Sequence, residues 1–152
     1  ATGLGVTGTI SASSTVTGTS FIGVATSAQY ADLAEKYTAD AEYAPGTVVS
    51  FGGDAEVTAS TDADTRVAGV VSTNPAFTMN NNLVADHVVT VAFTGRVPCR
   101  VTGTVRKGDL MVSAGNGLAR AEANPAAGTI IGKALANHDG AEGTIEVVVG
   151  RF

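Results

Sequence analysis

Asp32 and Glu35, in the stretch YADLAEKY, are a carboxylate pair at helical spacing, three residues apart beside Lys36. On one helix face they could serve as an acid/base pair acting on nearby backbone; the plainer reading is a solvated, charge-dressed face. Cys99, the single cysteine, sits in the alternating run TGRVPCRVTG and reads as a small buried hydrophobe. A nucleophilic role would need a base and an electropositive pocket, and spacing alone cannot bring His87 or His138 beside it. Those two histidines are far apart in sequence and lack a ligand partner at i+3 or i+4, so no zinc site is inferred. Asp62 and Asp64 in TDADTR, and Asp139 with Glu142 in HDGAEG, offer oxygen ligands, but neither set has calcium-loop spacing. Gly3-Leu4-Gly5-Val6-Thr7-Gly8 has the letters GxGxxG without the preceding strand, following helix and later acid that a dinucleotide needs. The residues therefore imply no metal, no cofactor and no enzyme, with Asp32 and Glu35 as the catalytic alternative.

The elements that must hold these residues follow from composition. The chain has 152 residues, 44% hydrophobic and 15% charged, with 5% aromatic and no Trp. Gly, Thr, Ala and Val in such proportion build β-structure with many turns and thin layers. A net charge of -5 and scattered Lys and Arg argue against nucleic acid. No apolar run reaches membrane-spanning length, so the chain reads as soluble without a membrane span.

Three regions are expected. Residues 1–29 are nearly free of charge and bulk, and Val6-Thr7-Gly8-Thr9 recurs as Val16-Thr17-Gly18-Thr19. This is a β-ribbon, the end of a shaft. A lone strand of this kind is unstable, so its partner is the rest of the domain or other copies of itself. Its oligomer-interface candidates are Val6, Ile10, Val16, Phe21, Ile22 and Val24, with Phe21 and Ile22 placed to plug the junction with the domain. Residues 30–44 hold a short helix and linker: Ala28, Ala31, Leu33, Ala34 and Tyr37 fall near one helical face, with Ser27 as N-cap. Residues 45–152 read as short strands split by turn chemistry, a β-barrel or sandwich-like domain. Within them NPAFTMNNNL is expected to be a loop, with Phe77 and Met79 packing inward.

The order of ribbon, linker helix and strands resembles the C-terminal domain of bacteriophage tail-fibre and related virion fibre proteins. The resemblance covers about residues 24–152 and is carried by GVVS-NPAF-MN, GRVPC-V-G-V-KGD and IIGKAL. It implies a homotrimeric, all-β structural cap near a fibre end, located in the virion and made in the host cytoplasm. The partners implied are other copies of the chain, further fibre or tail proteins, and a host-surface glycan or protein. The polar loop residues Thr78, Asn80, Asn81 and Asn82 are the candidate receptor contact. A more distant likeness, to the self-cleaving chaperone peptidase domains of phage neck appendages, gives the alternative in which Asp32 and Glu35 act in autoproteolysis that assists trimerisation. The scissile Ser-Asp of that group is not identifiable here.

Overall fold

The computed structural model describes residues 5–18 and 32–150. Among these there is no helix. Ten strands follow in chain order: β1 (Asp32–Thr38), β2 (Val48–Phe51), β3 (Val57–Ala59), β4 (Val67–Val71), β5 (Phe77–Met79), β6 (Val88–Thr102), β7 (Leu110–Gly115), β8 (Leu118–Ala121), β9 (Ile130–Ala134) and β10 (Glu142–Val149).

β6 organises the whole. It runs unbroken through Gly95 and Pro98 and changes neighbours halfway. Its first half pairs with β1 on one edge and β4 on the other, and its second half pairs with β10 and β8. The switch on one edge falls at Gly95, opposite both Asp32 and Val149, where a φ of 109° is open to glycine at little cost. Pro98 is tolerated because that edge of β6 faces the Gly46 loop, not a ladder: Arg100 N–H donates to Gly46 O at 2.9 Å.

From the second half of β6 the pairings run β8, β7, β9, β10 and back to β6, closing a five-stranded barrel without free edges. Its filling is Val97, Cys99, Val101, Met111, Ile131 and Val147, all at most 2% exposed. Small side chains keep the barrel narrow, and at Gly132 a Cβ would stand 1.9 Å from Val148 O in β10. β4, β2 and β3 extend the sheet beyond the barrel. Val48, Val70 and Ala92 face the barrel core while their neighbours Val49, Val71 and Val91 face a second cluster with Val57 and Val89. The extension is thus buried on both faces. No aromatic ring among the described residues is fully buried, in keeping with the thin layers read from composition.

Two expectations are corrected. From Asp32 onward the expected helix is strand β1; residues 27–31 lie outside the described residues. Asp32 and Ala34 are buried and Leu33 between them is 43% exposed, a period of two. Pairing with β6 along the whole of β1, and with β5 on its other edge, satisfies more backbone than two helical turns could, so tertiary pairing overrides a weak local preference. The loop at Asn74–Leu83 contains β5, parallel to β1. Phe77 and Met79 there do not pack inward but are 61% and 38% exposed. Residues 5–18 carry no strand and are exposed at every position. Of the interface candidates, Val6, Ile10 and Val16 lie in this exposed segment, and Phe21, Ile22 and Val24 lie outside the described residues.

Candidate interaction surface

Because β1 is a strand, the spacing that would align Asp32 and Glu35 on a helix sends them to opposite faces. Asp32 points to the buried side, and burial raises its carboxyl above the ordinary range; the nearby Ser72 hydroxyl offsets this only in part. Its Oδ2 and Ser72 Oγ are both buried without a hydrogen-bond partner. Glu35 points the other way and accepts a hydrogen bond from Tyr37 Oη at 2.8 Å, the i, i+2 neighbour on its own face. Burial, with that bond and the charges of Glu35 and Glu56, pushes the Tyr37 phenol up to about 12. The two carboxylates do not converge on a common point.

The face that carries Glu35 and Tyr37 is otherwise apolar. Register places Leu33 beside Phe77 and Glu35 beside Met79, so Leu33, Phe77 and Met79 share this face. Tyr37 and Phe51 meet edge to face with ring centroids 5.5 Å apart. Together with Val67, Met79, Phe93 and Ile130 they line a groove of about 260 Å³. It continues past Phe51, Val67 and Ile130 into a second recess of about 480 Å³ bounded by Thr65, Arg66, Ala127 and Gly128. The sequence reading missed this surface, although L-x-E-x-Y followed by F-x-M was there to be read once both segments are taken as strands.

Next to it lies the asparagine turn. Thr78 is in β5 opposite Ala34; Asn80 has φ of 53°, and its Nδ2 donates to Lys36 O at 3.2 Å. Lys36 Nζ donates to Asn81 O at 2.9 Å. The candidate receptor residues are therefore gathered on one turn tied to the end of β1, with Asn81 and Asn82 exposed.

Elsewhere the candidate ligand acids are occupied, while His138 Nε2 is buried without a hydrogen-bond partner. Each acid weighed as a cation ligand faces an arginine: Asp62 meets Arg120 at 2.8 Å, Asp64 meets Arg66 at 3.3 Å, Asp139 meets Arg106 at 2.9 Å and Glu142 meets Arg100 at 3.5 Å. Arg120 also bonds Glu122, and these hydrogen bonds hold both Asp62 and Glu122 below the ordinary carboxylate range. Cys99 is fully buried in the barrel core, and burial pushes its thiol up to about 12.

No protein-family model matches the chain, and no curated protein matches it in sequence. Among solved structures it is similar to the crystal structure of the C-terminal fragment of gene product 12 from bacteriophage phi29. The TM-score is 0.60 at 13% identity, covering 78% of this chain and 99% of that one. At that identity the likeness is one of fold.

Proposed function

We propose that this chain is a structural, non-enzymatic domain of a bacteriophage virion fibre, assembled as a homotrimer whose copies join through the segment ahead of β1. One observation carries the reading: residues 5–18 are exposed at every position, with Val6, Ile10 and Val16 at 46%, 71% and 57% exposure. They precede a barrel whose fold is that of a phage protein's C-terminal fragment. A low-bulk apolar arm of this kind gains by winding with other copies, which would bury side chains that one chain leaves in water. In this reading the domain resides in the virion and caps a fibre near its end. The asparagine turn at Asn80–Asn82 is the part offered to a host-surface glycan or protein.

Sedimentation equilibrium of the full chain tests it. The expected species has three times the 15.1 kDa chain mass and persists on dilution, whereas a monomer at all concentrations would overturn the reading.

A second reading, self-cleavage that assists trimerisation, draws on one observation. Asp32, the first residue of β1, buries a carboxyl oxygen with no hydrogen-bond partner. The separation of Glu35 onto the opposite face speaks against a paired acid and base. Expression with upstream fibre sequence decides: a longer product from Asp32→Ala than from the parent chain supports cleavage, and equal lengths support the structural reading.

A further inference from the structure

We propose that the apolar ridge of β1 and β5, with the groove beside it, is a subunit contact, occupied in the assembly by a second copy of this chain. The inference rests on the trimer reading and deepens it, because it moves part of the interface from the arm to the folded domain. Leu33 and Phe77 stand side by side in register at 43% and 61% exposure, a ridge of bulky side chains in a protein with very few. Next to the ridge is the groove walled by Phe51, Val67 and Ile130. A closed ring of three needs two different surfaces that fit each other, since each copy meets its neighbours head to tail. An apolar ridge and an apolar groove on one molecule are such a pair.

Three observations favour a copy of the chain over other occupants. Glu35, which accepts from Tyr37, is the one charged side chain on the wall of the smaller groove, so no cation there selects a phosphorylated ligand. β5 pairs only with β1, so among the described residues its other edge is open, beside an exposed aromatic, a combination that folded proteins normally cover. Finally, β1 comes after the arm in the sequence. Arms wound together would hold these faces at roughly millimolar concentration of one another, enough for a modest apolar contact to form.

The test uses the full chain in three forms: parent, Phe77→Asp, and Ala141→Asp, which introduces the same charge at the exposed connection between β9 and β10. Phe77 is mostly exposed, so the single chain should fold with its far-ultraviolet circular dichroism unchanged. Sedimentation velocity is expected to show association weakened by about tenfold or more in Phe77→Asp and unchanged in Ala141→Asp. Phe51→Asp, on the groove side, should repeat the Phe77 result. A trimer indifferent to both Phe77→Asp and Phe51→Asp would overturn this inference, leave the trimer reading intact, and mean that another virion protein covers the face. A parent chain that is monomeric throughout would instead defeat the trimer reading itself.

Discussion

Replacing Asp64 with asparagine should lower the stability of the fold at neutral pH but not in strong acid. The side chain is 5% exposed. Its Oδ1 accepts from the Arg66 backbone N–H at 2.9 Å and from Arg66 Nε at 3.3 Å, and its Oδ2 accepts from Thr61 Oγ1 at 3.2 Å. Its own N–H donates to Ser113 Oγ at 2.9 Å, which ties the 61–66 loop, and with it the rim of the larger groove, to β7. Burial pushes the carboxyl up, yet the Arg66 bonds prevail and hold it at about 2, against the ordinary 3.8. The unfolded chain then binds more protons between those values. Stability is fully present above the unfolded value and is lost as pH falls through 3.8 towards 2. A shift of nearly two units corresponds to about 2 kcal/mol, and the 63% exposure of Arg66 reduces this towards about 1 kcal/mol. Urea denaturation of parent and Asp64→Asn at pH 7, 5, 3 and 2 measures it. The gap in unfolding free energy should be about 1–2 kcal/mol at pH 7 and 5 and shrink towards zero at pH 2. A gap of constant size across the series would show that the carboxylate matters for packing alone and would refute the electrostatic account.

Three further substitutions probe β1, the barrel and the arm. Asp32→Asn should raise the denaturation midpoint at pH 7, because burial lifts this carboxyl and the fold therefore loses stability as pH rises from 3.8 through the raised value; the advantage should disappear in acid, and a destabilised variant at pH 7 would contradict it. Gly132→Ala should cost about 1–3 kcal/mol or more, since its Cβ would meet β10 backbone at 1.9 Å, while Gly5→Ala, with nothing within 4 Å, should leave the melting temperature unchanged; equal effects would mean that β9 and β10 are not closed as described.

The barrel strands were legible because Val, Ile and Thr alternate between clear turns such as Asn116-Gly117, and inward parity then follows from the period of two. β1 was not, because Ala28, Ala31, Ala34 and Tyr37 satisfy a helical spacing by chance over a segment too short to discriminate. Its true partner, the first half of β6, lies some fifty residues on and leaves no local trace. That one misreading also misplaced the site: it put Asp32 and Glu35 on a common face and hid the ridge of Leu33 and Phe77. β5 is too short for any pattern to register. For the arm, composition indicated a segment unable to form a core of its own, and residues 5–18 are exposed throughout; which chains cover it is a matter of assembly.

Trimerisation through the arm is tested most directly by dipolar distances at Ile10, 71% exposed and, among the described residues of the arm, more open than Val6 or Val16. In Ile10→Cys the introduced thiol is the single one open to a spin label, since Cys99 is fully buried with its thiol pushed up to about 12. Electron paramagnetic resonance on the labelled full chain should give the modulation depth of three coupled spins and one narrow inter-label distance, abolished by dilution into unlabelled chain. Absence of dipolar modulation, or the depth of two spins, would contradict a threefold fibre domain joined through this segment.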